Sequence, residues 1–185
     1  VGLISALLKF QKKKISCMNL AKQTINFEQK IMKEVVGSQD QVAASIGGFN
    51  KINFLKNGRI VVKKISSKNL IKLNSNLLLL YTGIQRNAAT IANNYVHKLS
   101  NQKEKNIRTI IRKVDMGEKI IQTGNLDDFG ELLNEMWVEK KNLSELVSNN
   151  KIDELYNTCL ENGATGGKLL GAGGGGFMLI YIKDE

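Results

Sequence analysis

The chain has 185 residues, 42% hydrophobic and 24% charged, with a formal charge of +10, no proline and two cysteines. That is ordinary for a soluble globular chain with room for one sizeable core or two small domains. No apolar run reaches the length of a membrane span and no signal-peptide layout is present. The lysines fall in twos and threes, at Lys12 to Lys14, Lys63-Lys64 and Lys140-Lys141, among many Asn and Ile. They read as solvated faces; with neither a basic stripe nor aromatic platforms, a nucleic-acid partner is excluded.

Val1 to Phe10 carries apolar residues at Leu3, Ala6, Leu7 and Phe10, the spacing of a helix with one packed face. The chain opens in the middle of that pattern, so it is expected to be a piece of a longer protein. A second helix is predicted from about Asn19 to Lys33, with a buried stripe through Ala21, Ile25 and Met32 and with Thr24 and Ile31 alongside. Position 28 falls inside this stripe. Glu28 is therefore a carboxylate aimed at protein, and an unpaired buried carboxylate is costly, so it should meet either a Lys or Arg or a metal ion.

Ser38, with Gln41 three residues on, has the form of a capping box, which predicts a helix start with Asp40 in its first turn. The dipole there favours an ionised carboxylate. Ile52 to Phe54 and Arg59 to Val62 alternate as strands about the turn signal Asn57-Gly58. From Ser66 to Asn76 the pattern turns polar, and a domain boundary is placed there. Leu77 to Tyr81 reads as a buried strand, followed by Thr82-Gly83-Ile84-Gln85-Arg86 and a helix to about Leu99. Thr82 or Gly83, with Arg86 in the first turn, has the chemistry to hold an anion.

Helices are predicted from Glu104 to Gln122, Leu126 to Lys141 and Lys151 to Leu160, the last ending at Gly163 as a C-cap. Trp137 shares a face with Leu133 and reads as core. Cys17 and Cys159 read as small buried apolar residues of a reducing compartment, and His97, without metal-ligand neighbours, as structural.

Near the C-terminus, Lys168-Leu169-Leu170 and the run Gly171-Ala172-Gly173-Gly174-Gly175-Gly176 stand directly against the strand-forming Phe177 to Ile182. Gly171, Gly173 and Gly176 match G-x-G-x-x-G, but a strand follows where a dinucleotide fold needs a helix. Walker A fails because Leu169 follows Gly167-Lys168. A loop without side chains lets backbone approach a phosphate or substrate, or makes a tight structural turn, and both readings stay open.

Taken together, Val36-Gly37-Ser38-Gln39-Asp40-Gln41, then Tyr81 to Arg86, then Gly166 to Phe177 resemble the GHMP kinases, and among them the branch that phosphorylates D-glycero-D-manno-heptose 7-phosphate at its anomeric oxygen. The resemblance implies an α+β, GHMP-kinase-like two-domain fold. Residues 1–73 would be the remnant of an N-terminal domain, and residues 74–185 a C-terminal antiparallel sheet backed by helices. It implies ATP and Mg²⁺ as cofactors, Asp40 as the catalytic aspartate and Glu28 as the metal-holding acid. Gln39, Thr82, Gly83 and Arg86 would bind substrate, and Gly171 to Gly176 would form the substrate and phosphate loop. The alternatives are a fucokinase- or galactokinase-like enzyme for an unphosphorylated sugar, or an inactive fragment. A cytoplasmic enzyme with ATP and a sugar phosphate as partners follows, without nucleic acid or membrane, and with a homodimer as the simplest self-association. The family's Gly-Ser-Ser-rich phosphate loop, expected just before a helix like Val1 to Phe10, is not in this sequence.

Overall fold

A computed structural model describes residues 1–85 and 104–183. The predicted helix to Leu99, Arg86 and His97 lie outside these. The chain divides into two compact units, Val1–Ile65 and Ser66–Glu185.

The first unit opens with α1 (Gly2–Phe10), none of whose residues is buried. Helix α2 (Cys17–Asn26) starts at Ser16, whose hydroxyl accepts the Asn19 N–H at 3.3 Å. It buries Leu20, Ala21 and Thr24, with the Thr24 hydroxyl donating back to the Leu20 carbonyl. At Phe27–Ile31 the helix widens into a π-turn, in which the Met32 N–H donates to the Phe27 carbonyl five residues back. This extra residue rotates everything after it off the α-helical stripe. Ile31 and Met32, expected inside, are therefore 64% and 51% exposed, while Glu28 stays half-buried. Cys17, expected inside, is exposed at the start of α2.

Helix α3 (Gln39–Ile46) packs against α2 through the fully buried Val42. The strands β1 (Asn50–Phe54) and β2 (Ile60–Lys64) pair antiparallel, with Phe54 opposite Ile60. Gly58 sits at φ +78° in their turn, and the Asn57 side chain accepts the Arg59 N–H at 3.1 Å.

The second unit begins with α4 (Asn69–Ser75), a helix where the polar composition suggested only a boundary. Its one buried side chain, Leu73, leaves too thin a stripe to be seen as a period. Long-range bonds place it: the Ser67 hydroxyl and the Asn69 amide both donate to the Ile121 carbonyl, at 3.1 and 2.8 Å. Strand β3 (Leu77–Tyr81) follows, then α5 (Glu104–Thr123), α6 (Asp127–Lys141), a 3₁₀ turn at Glu145–Val147 and α7 (Asn150–Glu161). The chain then forms β4 (Ala164–Leu169) and β5 (Phe177–Ile182).

The sheet is antiparallel with β5 central, in the order β3-β5-β4. Strand β3 is an edge strand with Leu78, Leu79 and Tyr81 exposed, which corrects the expectation that it is buried. Trp137, Val147, Ile152, Tyr156, Ala164, Leu169, Met178 and Ile180 form one core cluster between helices and sheet. Gly166 of β4 and Gly130 of α6 let helix and strand touch by backbone: a Cβ on Gly166 would fall 1.9 Å from the Gly130 carbonyl oxygen. No helix among the described residues is long and apolar enough to cross a membrane.

Candidate active site

In the first unit the acidic residues sit on the two helices that share its core. Asp40 lies in the first turn of α3, exposed, one residue after Gln39. The helix starts where Ser38 and Gln41 predicted, but not by a capping box. The Ser38 side chain makes no cap bond; its hydroxyl instead accepts from the Gln29 amide at 3.2 Å, which also donates to the Val36 carbonyl at 2.9 Å. Gln41 is buried and turns its amide to Glu28, donating from Nε2 to Oε2.

Glu28 thus meets an amide rather than a cation, and it forms no ion pair among the described residues. One of its oxygens is held and oriented by Gln41; the Gln41 Oε1 is buried without a partner among the described residues. The contact of Gln41 with Glu28 is not legible in its spacing, because it spans thirteen residues across two helices.

The second unit carries the glycine turn. Leu170 to Gly176 leaves β4 and enters β5, and its geometry depends on absent side chains at two places. Gly173 is at φ +113°, and a Cβ there would lie 2.8 Å from the Val147 Cα. Gly175 is at φ +158°, where a Cβ would lie 2.6 Å from the Ile84 carbonyl oxygen. The turn is bonded on both flanks: the Gly174 N–H donates to the Val147 carbonyl at 2.8 Å and the Gly176 N–H to the Ile84 carbonyl at 3.0 Å. Thr82 closes the other side, its N–H and its hydroxyl both donating to the Gly176 carbonyl, at 2.9 and 2.8 Å. Gly83, at φ +71°, forms the bend beside it. The Thr82 hydroxyl also accepts the Ile84 N–H at 3.3 Å, so this side chain holds the turn from within.

The close contacts and internal bonds make it a tight structural turn. Gly173 and Gly175 are packing glycines. The N–H groups of Gly171, Ala172 and Gly173 have no partner among the described residues. Gly171, at φ +67°, opens that set. Nearby in sequence on β4, Lys168 is half-buried, and burial lowers the pKa of its ammonium.

The second unit is thus an antiparallel sheet backed by helices, with a glycine turn between its last two strands. Residues 118–185 match the family model described as GHMP kinases C terminal. The chain is 33% identical to D-glycero-alpha-D-manno-heptose 7-phosphate kinase of Campylobacter jejuni over 98% of its own length and 55% of that protein. Among solved structures it is similar to a putative sugar kinase from Campylobacter jejuni, at 30% identity and TM-score 0.63, covering 98% of this chain and 52% of that one. It is also similar to the Methanococcus jannaschii mevalonate kinase, at 25% identity and TM-score 0.71, covering 96% and 52%. The chain thus spans about half the length of these relatives.

Proposed function

We propose that the chain is part of an ATP-dependent sugar kinase that phosphorylates the anomeric hydroxyl of a sugar phosphate. D-glycero-D-manno-heptose 7-phosphate is the acceptor and the 1,7-bisphosphate the product. The observation that carries this reading is the turn at Gly171 to Gly173, whose unpaired N–H groups suit a phosphate while the rest of the loop is bonded in place. In this reading the first unit belongs to the family's N-terminal domain and the second to its C-terminal domain, which moves the boundary expected at residue 73 to Ile65.

The anomeric oxygen attacks the γ-phosphorus, an O–P bond forms as the bond to the β-phosphate oxygen breaks, and ADP leaves. Such transfer depends on position and charge neutralisation more than on a strong base. Asp40 orients the hydroxyl and takes its proton, from a helix start that its own side chain does not have to cap. Gln39, beside it, and Arg86 bind the sugar phosphate, Arg86 as a two-pronged clamp on the phosphate already present. Gly171, Ala172, Gly173, Gly174, Gly175 and Gly176 approach the transferred group, and Thr82 and Gly83 hold that loop in shape.

Glu28 fits a Mg²⁺ site: it is half-buried, without a counter-cation among the described residues, and one of its oxygens is oriented by Gln41. When bound, Mg²⁺ neutralises charge on the phosphates. Glu28 supplies one hard oxygen ligand, and Gln41 keeps it turned toward that task.

The test is turnover of ATP with heptose 7-phosphate by the protein containing these residues. Asp40→Asn is expected to lower kcat by at least about a hundredfold with ATP affinity kept. Near-native turnover in that variant removes Asp40 from the chemistry, and equal use of heptose and heptose 7-phosphate removes the phosphate clamp.

A further inference from the structure

We propose that Lys140 is the positioning residue of the glycine turn, holding its carbonyl side so that the Ala172 N–H is presented to an anionic ligand. This rests on the reading of the turn given above. Lys140 stands in the last turn of α6, and its Nζ donates to the Leu169 carbonyl at 2.8 Å and to the Gly171 carbonyl at 2.6 Å. These carbonyls lie on either side of Leu170, where the strand ends and the turn begins.

In a trans peptide the C=O and the following N–H point opposite ways. The Leu170 N–H donates inward to the Phe177 carbonyl at 2.8 Å, so the Leu169 carbonyl points outward from the sheet edge, where the ammonium meets it. The same rule at the next anchor turns the Ala172 N–H away from Lys140, on the side opposite the held Gly171 carbonyl.

A glycine turn has little conformational preference of its own. Its orientation must come from anchors. At the far end these are the Val147 and Ile84 carbonyls, which take the Gly174 and Gly176 N–H groups. At the near end the anchor is Lys140, a charged donor with three N–H bonds, which holds carbonyls more firmly than a neutral one. The two sets together fix both ends of the segment that carries the Ala172 N–H.

The chain with Lys140→Met keeps the aliphatic stem and loses the donors, whereas Lys140→Arg keeps donors; both are compared with the parent. Calorimetric titration with tripolyphosphate and with ATP·Mg²⁺ is expected to show Kd raised about tenfold in Lys140→Met and within about threefold of the parent in Lys140→Arg. Amide exchange read by NMR is expected to accelerate about tenfold or more at Ala172 and Gly173 in the Met variant, with the β4-β5 ladder unchanged. A Met variant with parental affinity and parental exchange overturns the proposal. If the parent binds no polyphosphate, the functional reading of the turn falls instead. Exchange alone then decides the hold of Lys140, and unaccelerated amides overturn it too.

Discussion

At the scale of single residues, the glycines of the turn divide by what surrounds them. A Cβ on Gly173 or Gly175 would meet backbone atoms at 2.8 and 2.6 Å, which cannot swing aside as a side chain would. Gly173→Ala and Gly175→Ala should therefore each cost about 2 to 4 kcal/mol in urea unfolding. Gly171→Ala, strained by its φ of +67°, should cost about 1 kcal/mol. Equal losses at all three positions would show that the turn does not depend on close packing. Lys168 makes a different prediction. Burial lowers its pKa, so the folded chain binds that proton more weakly than the unfolded chain. Stability then rises as pH climbs from the lowered folded value to the ordinary lysine value, and below that window the burden is fully present. Lys168→Met should gain about 1 kcal/mol at neutral pH and lose this alkaline rise; a loss of stability at pH 7 would contradict it.

Among elements, the meeting of α6 and β4 is decided by two small residues. A Cβ on Gly130 would lie 2.0 Å from the Thr165 hydroxyl oxygen and one on Gly166 1.9 Å from the Gly130 carbonyl oxygen. Gly166→Ala must push helix from strand and should lower Tm by about 10 °C or more in a thermal melt. A melt unchanged within error would mean that the helix slides without loss. The two helices flanking this contact were legible in advance because their periods are long: α5 and α6 carry apolar faces over twenty and fifteen residues. Strand β4 was not, because Ala164, Gly166 and Gly167 disfavour strand and outweigh Thr165, and it becomes a strand through pairing with β5 and the close approach of α6.

Over the whole molecule, burial is uneven. Helix α1 buries none of its residues, and Phe10 is 88% exposed beside the exposed Leu3 and Leu7. Replacing Leu3, Leu7 and Phe10 together with Glu should leave Tm within about 3 °C, since no buried contact is lost, while raising the concentration at which the chain stays dispersed. A large drop in Tm would show that this stripe is covered in solution.

Local physics, then, was readable from the residues: helices with a full apolar period, the Asn57-Gly58 turn, Gly163 after a helix end, and the strand Phe177 to Ile182 after a side-chain-free run. Each depends on neighbours within a few positions, which the order of residues already places together. Only the folded chain decided the partners of Gln41, Thr82 and Lys140. Gln41 crosses thirteen residues to Glu28, Lys140 reaches 29 and 31 residues on to β4 and the turn, and Thr82 reaches 94 residues on to Gly176. It also decided that the π-turn carries Ile31 and Met32 out of the stripe. A side chain with several donors or acceptors has many partners of similar energy along the chain, and which one it meets is settled by the packing of apolar faces that brings one of them within reach.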